Sequence, residues 1–123
     1  FDARPPECFA GDTAHGDAKR PGPLPGAVNQ SYATFVENGA AATATPTDIS
    51  ALNASLGIKG DEEVISFCNT GHWAATHWFA LSELANVENA KLYAGSMVEY
   101  SNADLPMENT PGVFKNLLRQ IGF

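Results

Sequence analysis

Apolar positions along the chain fall in short runs and helical stripes, separated by stretches rich in Pro and Gly. Residues 5–26 hold five of the eight prolines (Pro5, Pro6, Pro21, Pro23, Pro25) and four glycines, a density that predicts a long irregular surface loop. Beyond it, Ala27-Val28-Asn29 is a short apolar step. Tyr32, Phe35 and Val36 predict a brief helical or turn segment ending near Asn38-Gly39, and the small residues Ala40 to Ala44 read as linker. Thr45-Pro46-Thr47-Asp48 has the chemistry of a helix start: Thr45 can cap, Pro46 suits the first helical position, and Asp48 stands where a capping-box acid would. Ile49, Leu52, Asn53 and Leu56 follow on one helical face. Gly57 is the expected left-handed stop, with Ile58 folding back over it and Gly60-Asp61 making the next turn.

Val64-Ile65-Ser66-Phe67 is rich in strand formers and bounded by turn signals, which predicts a buried strand with Cys68 at its end. From Ala74 to Ala85 the residues favour helix, with Ala74, Trp78, Leu81 and Ala85 on one stripe and Asn86 as the stop. Lys91-Leu92-Tyr93 is the next, parallel strand, reached through that helix. Thr110-Pro111 opens a C-terminal helix whose Phe114, Leu117, Leu118 and Ile121 share a face. Strand and helix alternate, so the predicted class is α/β with a parallel sheet flanked by helices.

Composition narrows the function. A chain of 123 residues, 44% of them hydrophobic, is one domain with enough apolar material for a core. Seven Lys and Arg against 14 Asp and Glu give a net charge of −7, which excludes tracking a nucleic-acid backbone or an anionic membrane. No apolar run reaches the length of a membrane span, and the chain is expected to be soluble. Cys8 and Cys68, without a CxxC pair, are too few for a disulfide scaffold or a cysteine zinc site. His72 and His77 are five apart and lie on different sides of any helix, so neither a metal nor another cofactor is expected.

The candidate chemistry lies in Cys68-Asn69-Thr70-Gly71-His72-Trp73, between the carboxyl end of a strand and the amino end of a helix, where α/β sheets place ligands. Successive N–H groups in such a loop can converge, and the helix dipole adds partial positive charge, so a thiolate at Cys68 is expected to be favoured and nucleophilic. Gly71 supplies the residue free to adopt positive φ. A cysteine phosphatase would need an Arg six positions after the Cys to clamp phosphate; that position is Ala74. A smaller cradle holding one extra sulfur atom on Cys68 fits better.

At these residues the chain resembles a rhodanese domain, a thiosulfate or mercaptopyruvate sulfurtransferase, along nearly all its length. Asp2-Ala3-Arg4 resembles the family's Asp-x-Arg strand end. Gly22-Pro23-Leu24-Pro25-Gly26-Ala27-Val28-Asn29 resembles its Gly-His-Ile-Pro-Gly-Ala-x-Asn segment, with Pro23 for the usual His. Leu92 to Tyr100 resembles the Tyr-Asp-Gly-Ser-Trp-x-Glu-Trp segment of tandem-domain members, with Met97 for the usual Trp. The resemblance implies transfer of a sulfane sulfur from a small anionic donor to a thiophilic acceptor such as cyanide, through a Cys68 persulfide. Asn69, Thr70, Gly71, His72 and Trp73 would form the active-site loop. Asn69-Thr70 matches neither the basic loop of thiosulfate-type members nor the Gly-Ser pair of mercaptopyruvate-type members, and a protonated His72 would supply positive charge near an anionic donor.

Other roles stay open at this point. Trp73 either walls the pocket or anchors the loop, and His77 reads as structural. Arg4 is expected to pair with a carboxylate, Asp2 to orient the active loop, and Cys8 is a candidate to form a resolving disulfide with Cys68. The alternative function is a non-catalytic rhodanese-like binding module. In the family a helix and an earlier strand precede the Asp-x-Arg strand end, whereas only Phe1 precedes Asp2 here. Residues 1–123 are therefore expected to be the C-terminal, cysteine-bearing part of a rhodanese domain. It would be complemented by an N-terminal fragment or accompanied by a second rhodanese domain, and the bacterial periplasm is favoured over the cytoplasm.

Overall fold

In the computed structural model, residues 1–37, 40–43, 51, 53–54, 57–59, 61–110, 118 and 121–122 are described. Pro6–Phe9 forms a helical turn, α1, inside the segment expected to be a loop. The proline density that argued for irregularity contains a helix start, because a Pro at the first helical position lacks only an N–H that the helix would leave unpaired anyway. After a 3-10 turn at Tyr32–Phe35 come two short antiparallel strands, β1 (Val36–Glu37) and β2 (Ala40–Thr43). The expected linker is thus a strand. Alanine has weak strand preference, and pairing with β1 rather than local propensity decides the outcome.

The functional half of the molecule is a parallel sheet. Strand β3 (Val64–Ser66) pairs in register with β4 (Ala90–Leu92), Val64 opposite Ala90 and Ser66 opposite Leu92. Between them runs α2 (His72–Phe79), continued by a wider π-helical turn, Ala80–Leu84, that ends at Asn86 with φ +53°. The helix therefore begins two residues before the expected Ala74. Asp2 bridges Phe67 on one side and Asn29 on the other, both in parallel sense, so the sheet continues from β4 through β3 to Asp2 and then Asn29. After β4, α3 (Ser96–Asn102) packs across the carboxyl ends of the strands. Of the helix expected from Thr45, the described end matches: Gly57 has φ +79°, and the Ile58 N–H folds back to the Asn53 carbonyl at 2.9 Å. Its start at Pro46, the residues Ile49, Leu52 and Leu56, and nearly all of the C-terminal helix from Pro111 lie outside the described residues.

β3 was expected to be a buried strand. Instead burial alternates: Val64 and Ser66 are buried, whereas Ile65 is 41% exposed. Val64 packs with Leu81 and Val87 under α2, and Ile65 turns to the other face together with its partner Lys91. Parallel sheets are normally covered on both sides, so this pattern marks a face left open among the described residues.

Two buried polar arrangements pin the sheet to its surroundings. Side chains two apart on a strand share a face, and Arg4 folds back on Asp2 with Nη2 2.6 Å from Oδ2 and Nε 2.9 Å from Oδ1, while Nη2 also donates to the Gly22 carbonyl. Arg4 thus has the expected carboxylate partner, and it is Asp2. The second arrangement centres on His77 of α2. Its Nε2–H donates to Gln30 Oε1 at 2.7 Å, which leaves Nδ1 to accept the Ser66 hydroxyl at 2.6 Å. His77 is fully buried, and burial pushes its pKa down to about 3.

Two outcomes follow from these groups. Arg4→Met would leave the Asp2 carboxylate buried without its cation, and the unfolding free energy measured in urea is expected to drop by about 3–5 kcal/mol. For His77 the folded-state pKa lies below the unfolded one, so the unfolded chain takes up the proton first. Stability contributed by the neutral ring is present above about pH 6.5 and is lost as pH falls toward 3. Urea midpoints between pH 7.5 and 5.5 are expected to decline in the native protein and to stay flatter in His77→Gln, at up to roughly 1.4 kcal/mol per pH unit of difference.

Candidate active site

Cys68 follows the last sheet residue, Phe67, and α2 begins four residues later at His72. The side chain of Cys68 is 1% exposed and packs against Ala3 and Ala74. Its Sγ accepts the N–H of Gly71 at 3.0 Å. Gly71 has φ +97°, and a Cβ there would meet the Ala94 carbonyl oxygen at 2.7 Å, so the turn has room for glycine alone. The first helical bond of α2 runs from the Ala75 N–H to the Gly71 carbonyl at 2.9 Å. The N–H groups of His72, Trp73 and Ala74 precede that bond and belong to the partially positive start of the helix.

The loop is held from behind by the segment between β4 and α3. The Cys68 N–H donates to Ser96 Oγ at 3.0 Å, and the Ser96 hydroxyl in turn donates to the Tyr93 carbonyl at 2.8 Å. At 4.0 Å from Sγ, the same hydroxyl is a neighbour of the sulfur while its proton goes to the nearer carbonyl. Met97 and Val98 donate their N–H groups to the carbonyls of Cys68 and Asn69, both at 3.0 Å. Ser96 itself has φ +51°, a strained conformation for a residue with a side chain. This clamp was invisible in the sequence, where Ser96 was one letter of a motif.

A cavity of about 240 Å³ opens onto the sulfur, lined by His15, Cys68, Asn69, Thr70, His72 and Trp73. The structure therefore brings together Cys68, Asn69, Thr70, His72 and Trp73, with Gly71 contributing its N–H to the sulfur. Trp73 both lines the cavity and is anchored, its ring lying parallel to Tyr32 at 4.9 Å. Thr70 Oγ1 is 3.1 Å from His72 Nδ1. Asn69 is buried, and its Oδ1 has no hydrogen-bond partner among the described residues, an arrangement that fits a site completed on binding. His15 was not anticipated. It comes from the irregular segment after α1, far from the loop in sequence, and no local pattern distinguishes it.

Other expected residues sit elsewhere. Asp2 and Arg4 do not line the cavity; the Asp2 carboxylate is engaged by Arg4, and the strand supports the site through Ala3 beneath Cys68. Cys8 and Cys68 are both free thiols, and burial pushes the Cys8 pKa up, opposite to the direction that activates a thiol. Two larger cavities, about 290 and 460 Å³, lie against the uncovered sheet face and contain no cysteine or histidine. No cluster of three or more His, Cys, Asp or Glu among the described residues could hold a metal ion, and no described helix is long and apolar enough to cross a membrane.

Comparison with known proteins agrees with this geometry. A protein of Haloferax volcanii named "Putative thiosulfate sulfurtransferase" is 38% identical over 106 residues, covering 82% of this chain and 37% of its own length. One of the same name from Synechococcus elongatus is 32% identical over 118 residues, covering 89% of this chain and 36% of its own. The chain thus spans less than two fifths of these relatives. Among solved structures, "Probable Thiosulfate Sulfurtransferase" superposes with a TM-score of 0.69 at 30% identity, over 87% of this chain and 41% of that one. The Tum1 protein of Saccharomyces cerevisiae superposes with a TM-score of 0.74 at 28% identity, over 90% of this chain and 40% of its own. The Rhodanese-like domain profile matches residues 1–103, and the chain belongs to the rhodanese family.

Proposed function

We propose that this chain is the catalytic part of a sulfurtransferase that moves a sulfur atom from a small anionic donor, the sulfane sulfur of thiosulfate or the thiol sulfur of 3-mercaptopyruvate, to a thiophilic acceptor such as cyanide, through a persulfide on Cys68. The observation that carries the reading is the placement of Cys68 Sγ at the floor of a small cavity, 3.0 Å from the Gly71 N–H at the start of α2. The names of the relatives from Haloferax volcanii and Synechococcus elongatus support it. With thiosulfate, the Cys68 thiolate attacks the outer sulfur, the S–S bond of the donor breaks, and its electron pair leaves with sulfite. The product is a persulfide anion, and the Gly71 N–H is positioned to meet the electron pair on the inner sulfur. Cyanide then attacks the outer sulfur, thiocyanate departs, and the Cys68 thiolate returns. Asn69, Thr70, His72 and Trp73 form the walls within which the donor is held. Phosphate chemistry is disfavoured, because the position that would carry a clamping Arg is the buried Ala74.

Incubation with thiosulfate or 3-mercaptopyruvate is expected to add the mass of one sulfur atom to the intact protein, and Cys68→Ser is expected to abolish the adduct. No adduct from either donor would favour a binding module over an enzyme.

A second proposal concerns what covers the exposed sheet face. Asp2 is bonded on both sides, yet residues 24–28 and 63–65, with Phe1 and Phe67, line a groove of about 290 Å³. An extended segment preceding Phe1 in a longer protein fits that groove as a continuation of the central strand, with Val28 and Ile65 as apolar contacts. The relatives' greater length supports this reading. Expressed alone, residues 1–123 are expected to bind an apolar dye such as ANS and to self-associate with rising concentration in sedimentation. A monodisperse, dye-silent monomer would overturn the proposal.

A further inference from the structure

The two imidazoles that line the Cys68 cavity differ in what their neighbours let them do with a proton. His15 Nδ1 accepts the main-chain N–H of Asp17 at 3.2 Å. A main-chain N–H only donates, so the neutral ring keeps its proton on Nε2 and has no lone pair there to offer. His72 Nδ1 lies 3.1 Å from Thr70 Oγ1. A hydroxyl both donates and accepts, so this contact survives in either tautomer and in the imidazolium. When Thr70 accepts from Nδ1–H, the Nε2 lone pair of His72 is free to take a proton. When Thr70 donates, Nε2 carries a proton to give. Both side chains are exposed, and both line the cavity onto which the Cys68 sulfur opens.

A second feature indicates which substrate would use such a ring. Asn69 lines the same cavity, is 7% exposed, and has a buried Oδ1 with no hydrogen-bond partner among the described residues. A buried carbonyl oxygen without a donor is costly until a ligand brings one. The thiosulfate and cyanide anions bring none. A thiol does, and at neutral pH it keeps its proton, since an unperturbed cysteine-like thiol titrates near about 8.5. That proton has to leave before the sulfur becomes a nucleophile.

We propose that His72 is the catalytic acid-base of the second half-reaction, with Thr70 as its positioning residue, and that the sulfur acceptor is a small neutral thiol. The proposal rests on Cys68 carrying a persulfide. His72 Nε2 takes the proton of the acceptor thiol, and the resulting thiolate attacks the outer sulfur of the Cys68 persulfide anion. A bond forms between the acceptor sulfur and the outer sulfur, the bond from the outer sulfur to Sγ breaks, and its electron pair stays on Sγ. The imidazolium gives its proton to the transferred sulfur. The products are the acceptor's hydropersulfide, the Cys68 thiolate and the neutral ring, with no net oxidation or reduction. The Gly71 N–H, 3.0 Å from Sγ, meets the charge that returns to Cys68.

The test separates discharge from loading. Each protein is loaded with thiosulfate, or with inorganic polysulfide, until its intact mass shows one added sulfur; it is then freed of donor and mixed with 2-mercaptoethanol, and loss of the sulfur is timed by quenched mass spectrometry. At pH 7 the rate is expected to fall roughly 100-fold in His72→Gln, the lower end of what a general acid-base contributes. Near pH 10, where the acceptor is largely ionised in solution, the native and variant rates are expected to converge. His15, with Asp17 beside it, and Cys68 are the other titratable groups at the cavity; they are the same in both proteins and cancel in the ratio. Thr70→Val is expected to slow discharge at pH 7 about tenfold, the worth of a hydrogen bond to a charged ring, with the same convergence at high pH, and Thr70→Ser to restore it. An unchanged rate in His72→Gln at pH 7 would overturn the proposal, and so would an equal slowing at both pH values, which would mean that His72 only shapes the loop. If native protein loads and then discharges independently of His72, this proposal fails and the persulfide reading stands; if neither thiosulfate nor 3-mercaptopyruvate loads it, that reading fails and this proposal falls with it.

Discussion

A tight loop can turn its N–H groups toward a sulfur atom only if its carbonyls are accommodated elsewhere. Here the carbonyls of Cys68 and Asn69 are taken by Met97 and Val98, whose N–H groups lie in the first turn of α3 and would otherwise lack partners. One set of hydrogen bonds therefore satisfies a helix start and orients the Cys68 loop. The same segment supplies Ser96 to the Cys68 N–H and brings the Ala94 carbonyl so close to Gly71 that no Cβ fits. The strain at Ser96, with φ +51°, is maintained by its two hydrogen bonds. All of this depends on β4 lying beside β3 in the observed register, because that pairing carries residues 93–98 across the carboxyl end of β3. A slip by one residue would move the clamp off the loop.

The buried polar groups near the site add support without adding net charge. The Asp2 carboxylate and the Arg4 guanidinium neutralise each other under the strand that carries Ala3, and His77 stays neutral between Ser66 and Gln30. A buried lone charge close to Cys68 would dominate a low-dielectric interior. With these groups paired or neutral, the electrostatic character of the cavity is set by the amides at the start of α2 and by the two imidazoles at its mouth.

Much of this organisation was legible in the sequence because it rests on local chemistry. Val64 to Phe67 read as a strand through its β-forming residues, Gly71 and Gly57 as positive-φ positions through their flanking patterns, and Asn86 as a helix stop. The Cys68 loop stood out because a cysteine, a glycine and a helix start followed a strand at once. What escaped was decided by partners distant in sequence. Ala40–Thr43 is a strand because β1 is beside it; Ile65 is exposed because no described residue covers its face; and Pro6 starts a helix within a segment whose composition argued for a loop. Ser96 and His15 escaped for the same reason, since each acquires its role from residues that chain folding brings to it.

The contrast between the cavities clarifies what makes this site specific. A cavity of about 460 Å³ is lined by Lys91 and by the apolar and aromatic side chains of Leu24, Ile65, Leu92, Tyr93, Tyr100 and Leu105. Its size and apolarity accord with a parallel-sheet face that no described residue covers. The smaller cavity is different in kind. It is bordered by a thiol and by His15, Asn69, Thr70, His72 and Trp73, and the backbone behind it is committed by hydrogen bonds on both sides of the loop. Only the second can restrict which small molecule reaches the sulfur and in what orientation, because orientation requires donors held in place before the ligand arrives.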